Sequence, residues 1–449
     1  MATPLLVPRL QSLNQDQDFW WEATASSFSS LLKSCDYTEC EQQFLLQWYS
    51  RFILPALGPR PWPDMVAKFN PCPVFDGSAC EFSINWRERS PHRMVRFTIE
   101  ATGMRAGTDE DPFNQEATQK LLRDMCSEVP GLSLKRFDLF ALDLFFSKEA
   151  AVNLAPRVPT GTPLSQAWVA FDLVQKYPMA KVYFMPILKW IDTGRSTNEL
   201  VFETARKCNT DEYGSFDEPV NMLQAYIETF TTTPDDAPRV EMVAIDCVDS
   251  PDARIKIYLR TAVNTLARAK NMYTLGGRLK GQAVTEGLQA LHELWPILFR
   301  LDAADPDMEH AEVFPRGSYC GCAVEMKPGR QESGTKLHIP VRKIVGTDAD
   351  LCEALAAWFR RRGHGEFASR YKEDLKKAFP LHDLDSAGGT HSFISFSYTE
   401  KSGVYMTFYY STKILDIHVN RVDRESGAGK DIWKGYDNLW SKKRGITLN

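Results

Sequence analysis

Short segments in which apolar and polar residues alternate occur in pairs along most of the chain. Each pair is joined by a short turn-like segment, such as Lys401-Ser402-Gly403, so each pair predicts an antiparallel hairpin. The paired segments are 80–87 with 92–100, 167–174 with 180–187, 240–248 with 253–260, 317–326 with 334–341, and 391–399 with 403–410. Connections this short argue against a doubly wound parallel sheet, because parallel strands need long crossover connections.

Between the hairpins, apolar residues recur at the three- and four-residue spacing of a helix face. Near the N-terminus Phe44, Trp48 and Phe52 follow one another at four-residue intervals, and Pro55 ends this segment. Further helices are predicted at 115–127, 196–207, 218–230, 262–270, 284–300 and 349–376, while 136–147 fits either a helix or a strand.

Five hairpins separated by helices indicate one repeated unit and an α+β fold. Ten antiparallel strands can close into a barrel with helices outside, an arrangement that leaves no unpaired strand edge. We therefore expect a single barrel domain over residues 1–418. The polar and charged composition of residues 419–449 predicts a peripheral C-terminal tail.

In several hairpins, one face of the second strand carries cations and ring-bearing or hydroxylated side chains, while the other face is apolar. In a barrel wrapped by helices the apolar face points outward, so the polar face lines the lumen. A single such position is more typical of a solvated strand face, but the recurrence in four or five hairpins favours the lumen. The residues on the polar face are Arg96, Thr98, Lys181, Tyr183, Met185, Arg254, Lys256, Tyr258, Arg260, Lys336, His338, Pro340, Tyr405, Thr407 and Tyr409.

A lumen with this many cations cannot be a dry core, because unpaired buried charge is too costly. It fits a bound anion, and cations at one level of a barrel suit a diphosphate. The tyrosines beside them offer hydroxyls to phosphate oxygens and ring faces to a carbocation. Glu81 opens the first strand among these cations. It is either a structural ion-pair partner or the acceptor of a hydrogen bond from a substrate N–H or O–H.

Composition and charge exclude several other classes of protein. With 449 residues, 43% of them hydrophobic, and a net charge of -5, the chain is globular and lacks the basic surface that nucleic-acid binding requires. No apolar run approaches the ~18 residues that span a membrane, and the N-terminus lacks the features of a secretory signal. The ten cysteines show no metal-ligand spacing, so we predict reduced thiols in a cytoplasmic protein and no metal site.

A series of short motifs accompanies the hairpins. They are Leu54-Pro55-Ala56-Leu57-Gly58-Pro59, Cys80-Glu81-Phe82-Ser83, Asp111-Pro112-Phe113-Asn114, Lys181-Val182-Tyr183-Phe184-Met185-Pro186, Thr193-Gly194-Arg195-Ser196-Thr197, Arg254-Ile255-Lys256-Ile257-Tyr258, Thr274-Leu275-Gly276-Gly277, Lys336-Leu337-His338-Ile339-Pro340 and Tyr405-Met406-Thr407-Phe408-Tyr409. Each motif alone is weakly specific. In this order and spacing, over roughly residues 15–415, they resemble the fungal dimethylallyltryptophan synthase family of aromatic prenyltransferases.

The resemblance implies the ABBA fold, a barrel of ten antiparallel strands built from ααββ repeats with helices outside. It implies an enzyme of secondary metabolism, in indole alkaloid biosynthesis, that moves a prenyl group from its diphosphate to an aromatic acceptor. The family glutamate that holds the indole N–H matches Glu81. The family's diphosphate-binding cations match Arg96, Lys181, Arg254, Lys256 and Lys336, and its tyrosine shield matches Tyr183, Tyr258 and Tyr409.

Several positions depart from the family pattern. Met185, His338 and Phe393 replace shield tyrosines, and Arg260 stands where several members have tyrosine. Gly321 falls where dimethylallyl-specific members often carry methionine, so we predict that geranyl diphosphate is accepted as well as dimethylallyl diphosphate. The alternative is that Gly321 merely allows close strand packing.

The strand from Ala167 to Leu173 lacks the lysine of the tryptophan-C4 enzymes, which argues against C4 prenylation of free tryptophan. The aspartate-rich DDxxD motif that holds Mg²⁺ in many isoprenoid enzymes is also absent, so activity in EDTA is predicted.

Two alternatives remain open from the sequence. The acceptor could be a phenol, such as tyrosine or a polyketide, rather than an indole derived from tryptophan or a cyclic dipeptide. The chain could also be a non-catalytic carrier of prenyl diphosphate, which would need the cations but not Glu81. Both substrates are small molecules, and neither a nucleic acid nor a membrane is an expected partner. The chain is expected to be a monomer or a homodimer.

Overall fold

The computed structural model describes residues 14–61, 68–174, 177–232, 237–261, 263–313, 320–342 and 346–418. The predicted peripheral tail, 419–449, lies outside these ranges. Within them, ten strands form one sheet that closes on itself. The strands are β1 Cys80–Arg87, β2 Ser90–Ile99, β3 Ala167–Asp172, β4 Met179–Phe184, β5 Arg239–Asp246, β6 Ile255–Thr261, β7 Cys320–Met326, β8 Gly334–Pro340, β9 His391–Thr399 and β10 Gly403–Ser411.

The barrel is antiparallel throughout, and each strand pairs with its neighbours in the sequence. β10 pairs with β1 to close the sheet, with Glu81 opposite Ser411 and Arg87 opposite Tyr405. Closure pairs both edges of the sheet, which is the physical advantage that a barrel has over an open sheet. The predicted α+β barrel of ten strands is confirmed, and each of its five hairpins is present.

Helices connect the hairpins and cover the barrel. In the described ranges they are α1 Gln15–Ser34, α2 Glu39–Trp48, α3 Glu116–Cys126, α4 Lys135–Leu144, α5 Lys148–Leu154, α6 Ile187–Thr193, α7 Thr197–Arg206, α8 Asp217–Glu228, α9 Leu266–Tyr273, α10 Gln282–Phe299, α11 Asp348–Arg361, α12 Gly365–Ala378 and α13 Ile414–His418. A π-helical turn, Tyr49–Ile53, and a 3₁₀ turn, Leu54–Ala56, continue α2, and Pro55 lies within the second of these turns.

The predicted helices at 349–376 and 262–270 differ in detail from the structure. The stretch 349–376 is two helices rather than one, because Gly363 adopts the left-handed conformation (φ 84°) that separates α11 from α12. The ambiguous stretch 136–147 is helical up to Leu144, as α4, and not helical over 145–147. α9 begins after Thr265, whose side chain accepts a hydrogen bond from the Arg268 amide and caps the helix, so it lies further along the chain than predicted.

The outer face of the barrel is apolar and packs against the helices. The Phe97 ring of β2 lies 5.7 Å from the Phe28 ring of α1, 6.3 Å from the Trp48 ring of α2 and 5.0 Å from the Phe171 ring of β3. All four side chains are buried. Because side chains alternate across a strand, burying this face outward turns the intervening polar residues into the lumen.

Among the described helices, none combines the length and the apolar character needed to cross a lipid bilayer.

Candidate active site

The lumen has two ends that differ in chemistry. We call Arg96, Lys181, Arg254, Lys256 and Lys336 the cation cluster. β1 runs from Glu81 towards this cluster, and the paired registers of the other strands place Glu81 near one rim and the cluster further along the axis. An aromatic belt of Tyr183, Tyr258, His338 and Tyr409 lies between them. The first three each follow a cluster lysine by two residues on the same strand face, and Tyr409 lies opposite Ser83, which in turn lies opposite Arg96.

Asp172 links two members of the cation cluster. Its Oδ1 lies 2.5 Å from Nε of Arg96, and its Oδ2 accepts a hydrogen bond from Nζ of Lys181, which is only 1% exposed. Burial acts to raise the pKa of Asp172, but the charges of Arg96 and Lys181 outweigh it and hold that pKa well below its usual range. Burial, with the nearby Arg96 charge, lowers the pKa of Lys181 to about 7.

A second group joins β5, β6 and β7. Arg254 binds Asp246 through Nε at 2.7 Å and Glu325 through Nη1 at 3.2 Å, and Nζ of Lys256 lies 2.9 Å from the other Glu325 oxygen. Burial opposes ionisation of Glu325, but Lys256 and Arg254 dominate and lower its pKa. Both carboxylates are therefore ionised at neutral pH and hold the cations in place.

Lys336 completes the cluster from β8. Its Nζ lies 3.3 Å from Oγ1 of Thr407 and 3.7 Å from the ring centroid of Tyr405. Burial lowers the pKa of Lys336 to about 8. Burial opposes ionisation of Tyr405, yet the adjacent Lys336 and Arg96 charges lower the pKa of its phenol to about 7. Tyr405 thus lies in the positive electrostatic environment of the cation cluster.

The cluster carries more positive than negative charge. Four of its five cations form ion pairs with three carboxylates, Asp172, Asp246 and Glu325, and Lys336 contacts Thr407 and the Tyr405 ring instead, so cationic side chains outnumber carboxylates by two. Charge in a partly desolvated chamber is costly unless it is paired. A polyanion such as a diphosphate supplies the missing negative charge, and its oxygens can accept several hydrogen bonds at once.

The aromatic belt follows the cluster along the lumen. Ring centroids lie 5.6 Å apart for Tyr183 and Tyr258, 5.3 Å for Tyr258 and His338, and 5.8 Å for His338 and Tyr409. Burial and the nearby Lys336 charge lower the pKa of His338 to about 3, so its ring is neutral at physiological pH. The belt therefore presents uncharged rings, which can shield a carbocation instead of repelling it.

Glu81 lies at the rim beyond the belt. Its Oε1 accepts a hydrogen bond of 2.8 Å from the hydroxyl of Ser392, on β9. Burial raises the pKa of Glu81 to about 8, partly offset by that hydrogen bond. No ion pair to Glu81 is present in the described part of the chain, so the structure favours the hydrogen-bond acceptor over the structural ion pair.

Two of the remaining predicted pocket residues, Arg260 and Gly321, lie opposite each other on β6 and β7. Arg260 is buried and binds Oε1 of Glu241 at 3.0 Å. Gly321 is the paired residue of both Arg260 and His338. A Cβ atom at Gly321 would lie 3.2 Å from the Leu259 carbonyl oxygen, so close strand packing and open lumen space both remain consistent with glycine.

Two other predicted pocket residues differ in their surroundings. The Phe393 ring lies 5.8 Å from that of Phe75 in a stacked pair, and Arg342 covers Phe75. Met185 follows the end of β4, is buried, and packs with the large apolar core rather than with the small lumen cluster that contains Tyr258. Of the three replaced tyrosines, His338 alone joins the chain of belt ring contacts.

Sequence reasoning missed several residues of the site. The carboxylates Asp172, Asp246 and Glu325 lie directly across the sheet from Arg96, Lys181 and Lys256. The alternation that was applied to the second strand of each hairpin would have found them if it had also been applied to the first. Ser392 gave no such signal, because it lies at an irregularity in β9. In the described ranges, no group of three or more His, Cys, Asp or Glu residues is arranged to hold a metal ion.

A closed barrel of ten antiparallel strands, with helices outside and with cations, aromatic rings and a carboxyl group inside, is the architecture of the ABBA prenyltransferases. Solved structures of this class superpose well on the chain. AnaPT from Neosartorya fischeri gives a TM-score of 0.78 at 26% identity, covering 89% of this chain and 94% of that one. NotF, solved in complex with brevianamide F and DMSPP, gives 0.75 at 26% identity, covering 90% and 96%.

The chain belongs to the tryptophan dimethylallyltransferase family, whose family model matches residues 16–374. It is 37% identical over 431 residues to prenyltransferase iacE of Pestalotiopsis fici, covering 93% of this chain and 97% of that protein. It is 32% identical over 409 residues to 7-dimethylallyltryptophan synthase of Aspergillus fumigatus, covering 88% and 85%. The predicted family is therefore confirmed, and the protein is an aromatic prenyltransferase.

Proposed function

We propose that this enzyme transfers a dimethylallyl or geranyl group from its diphosphate to a ring carbon of an indole acceptor, either a tryptophan derivative or a cyclic dipeptide, in secondary metabolism. The observation that carries the proposal is the order of chemistry along the lumen, from cation cluster through aromatic belt to Glu81. The names of the relatives support the indole acceptor, since one is a 7-dimethylallyltryptophan synthase and another was solved with brevianamide F.

The cation cluster binds the diphosphate of the donor. Arg96, Lys181, Arg254, Lys256 and Lys336 supply charged hydrogen bonds to its oxygens, and the carboxylates fix the directions of the first four side chains. The bond between C1 of the prenyl group and the diphosphate oxygen breaks, and the diphosphate leaves with the electron pair. The fixed cations stabilise the charge that develops on the leaving group, as a divalent metal does in other isoprenoid enzymes. Turnover without added Mg²⁺ follows.

The aromatic belt protects the allylic cation that remains. Tyr183, Tyr258 and Tyr409 place ring faces around it, and the neutral His338 extends the same surface. Cation–π contact stabilises the intermediate by roughly 1–2 kcal/mol per ring in a desolvated site. Exclusion of water by the same rings prevents hydrolysis of the cation to a prenol.

Glu81 binds the acceptor. Its carboxylate accepts the indole N–H, which orients the ring above the allylic cation and stabilises the positive charge that spreads to nitrogen when the ring attacks. A carbon–carbon bond forms between the ring and C1 of the prenyl group. Transfer of the proton from the attacked carbon to the released diphosphate or to water restores aromaticity.

The test is a matrix of acceptors and donors. Tryptophan, tryptophan-containing cyclic dipeptides, tyrosine and a polyketide phenol are each incubated with dimethylallyl, geranyl or farnesyl diphosphate, in buffer with Mg²⁺ and in EDTA. Products are detected by mass spectrometry, and the attachment position is assigned by NMR. We expect indole products with dimethylallyl and geranyl diphosphate. For each donor, the rate in EDTA should equal the rate in Mg²⁺.

Other outcomes of this matrix would redirect the proposal. Products from phenols alone would replace the indole acceptor with a phenolic one. Donor binding without acceptor-dependent release of diphosphate would indicate a carrier. Loss of activity in EDTA, restored by Mg²⁺, would contradict metal independence.

A further inference from the structure

β9 contains an irregularity where it approaches Glu81. The pairing with β10 passes from Phe393 opposite Tyr409 to His391 opposite Tyr410, so Ser392 has no opposite residue. In such a bulge two consecutive residues face one on the partner strand, and the strict alternation of side chains is interrupted. Both Ser392 and Phe393 can then point their side chains towards the lumen.

The residue before the bulge is anchored on the outside of the barrel. Nδ1 of His391 lies 2.8 Å from Oδ1 of Asp348, and its Nε2 lies 2.9 Å from the hydroxyl of Tyr371. The same Asp348 carboxylate accepts the backbone amides of Thr390 at 2.8 Å and His391 at 3.0 Å. Because these groups are buried and mutually satisfied, they fix the backbone from which Ser392 projects.

Ser392 meets the Glu81 carboxyl across the barrel closure. Its hydroxyl donates to Oε1 at 2.8 Å, and Ser392 itself is only 1% exposed. No other hydrogen bond to this carboxyl is formed by the residues that the structure describes. One oxygen of Glu81 is thus held by protein, and the second is left for a substrate donor.

We infer that Ser392 is a positioning residue, which the β9 bulge delivers to Glu81 so that one carboxylate oxygen is fixed and the other receives the acceptor N–H. The inference rests on the proposed function and adds to it the group that sets the orientation and the ionisation of the acceptor-binding carboxylate. A hydroxyl donor favours the ionised carboxylate, which is the form that can accept the indole N–H.

Among the described groups around Glu81, the Ser392 hydroxyl is the one whose removal should change the pKa of the Glu81 carboxyl. Its paired residues, Thr98 on β2 and Ser411 on β10, are neutral. The titratable groups that sense its charge are Cys80 on β1 and Tyr409 on β10, and burial raises the pKa of both, so they remain neutral near pH 7. Without the Ser392 hydroxyl, burial acts on Glu81 unopposed and its pKa rises further.

The experiment measures kcat/KM for the indole acceptor from pH 6 to pH 10, at saturating donor, for the wild type and for Ser392→Ala, Ser392→Cys and Ser392→Thr. A hydrogen bond to a charged group shifts a pKa by roughly one unit, so the acidic limb of the Ser392→Ala profile should move up by about that amount. The corresponding loss of kcat/KM in Ser392→Ala is about tenfold at pH 7, with little loss at pH 9. Ser392→Thr, which keeps the hydroxyl, should restore the wild-type profile.

The controls separate positioning from a general structural effect. Ser369→Ala removes an exposed hydroxyl on α12 that bonds only within its own helix, and it should leave the profile unchanged. If Ser392→Ala does not fold, the nearly isosteric Ser392→Cys carries the same comparison. An alanine or cysteine profile that superimposes on the wild type, or a threonine variant as impaired as alanine, would overturn the inference.

This result can be separated from failure of the proposed function. Unchanged turnover in Glu81→Gln would remove Glu81 from the reaction, whatever Ser392 does. Loss of turnover in Glu81→Gln together with a normal Ser392→Ala profile would refute the role of Ser392 alone.

Discussion

Under the proposed function, the two ends of the lumen recognise their ligands by different means. At the donor end, four of the five cations form ion pairs with three carboxylates, in the groups Arg96–Asp172–Lys181 and Asp246–Arg254–Glu325–Lys256, and Lys336 adds a fifth cation beside Thr407 and Tyr405. At the acceptor end, the Glu81 carboxyl receives one protein hydrogen bond, from Ser392, among the described residues. The donor end is redundant, whereas the acceptor end depends on one group.

This difference suits the ligands that are proposed for each end. A diphosphate is multiply charged and is recognised by summed electrostatic attraction, in which one lost cation is partly replaced by the others. An indole N–H offers one directional hydrogen bond, which no neighbouring group can replace. Substitutions at the acceptor end should therefore affect turnover more steeply than substitutions at the donor end.

The largest effect is expected at Glu81. Glu81→Gln keeps the shape of the side chain but removes the negative charge that stabilises the developing positive charge on the indole. We expect kcat to fall by about 10³-fold, equivalent to ~4 kcal/mol, with little change in donor affinity. Steady-state kinetics and donor binding measured by calorimetry provide the check. Glu353→Gln, an exposed change on α11, is the matched control; a Glu81→Gln enzyme with wild-type kcat would contradict the comparison.

A smaller effect is expected for one cation of the donor end. Lys181→Met removes a charged hydrogen bond to the diphosphate but leaves Arg96, Arg254, Lys256 and Lys336. The dissociation constant for inorganic diphosphate should rise about thirtyfold, equivalent to ~2 kcal/mol. Lys377→Met, on the exposed side of α12, serves as the control. If Lys181→Met lowered turnover as much as Glu81→Gln does, the donor end would not be redundant.

The pH dependence of donor binding should be moderate. In the empty enzyme the pKa values of Lys181 and Lys336 are lowered to about 7 and about 8, so both lysines lose their charge as the pH rises through this range. Affinity for inorganic diphosphate should therefore fall by at least about tenfold between pH 7 and pH 9, since each lysine must then take up a proton on binding. Calorimetry in buffers of different ionisation enthalpy measures this proton uptake. Lys336→Arg should flatten the profile, and binding that is independent of pH would refute the assignment.

The smallest effect is expected at Gly321, beside the belt. Gly321→Met places bulk next to His338 and Arg260 and should lower the ratio of geranyl to dimethylallyl transfer about fivefold, equivalent to ~1 kcal/mol. Competing donors in one reaction give this ratio directly. Gly321→Ala is the control, because it introduces the close Cβ contact with Leu259 without filling the pocket. Equal geranyl transfer by the methionine variant would leave close strand packing as the role of Gly321.

Much of this arrangement was predictable from strand alternation. Lys181, Tyr183, Lys256 and Tyr258 were placed on one face by period two alone, and the structure brings all four into the same lumen. The ion-pair partners were within reach of the same argument, since Asp172 lies directly opposite Arg96. Met185 shows its limit, because alternation stops being informative where β4 ends and the chain turns into α6.

Ser392 was not predictable, because a bulge shifts the alternation by one residue and leaves no local mark in the sequence. The break between α11 and α12 is similar, since Gly363 permits a left-handed turn but a glycine can also lie within a helix.

The sequence by itself determined the secondary structure elements, the barrel and the chemical class of the lumen, because these depend on local periodicity and on which face can bury apolar area. Only the tertiary structure decided which carboxylate pairs with which cation, which rings touch in the belt, and how Ser392 reaches Glu81. Those contacts join residues far apart in the chain. Their geometry is set by strand register and by the bulge, which arise when all ten strands close around one axis.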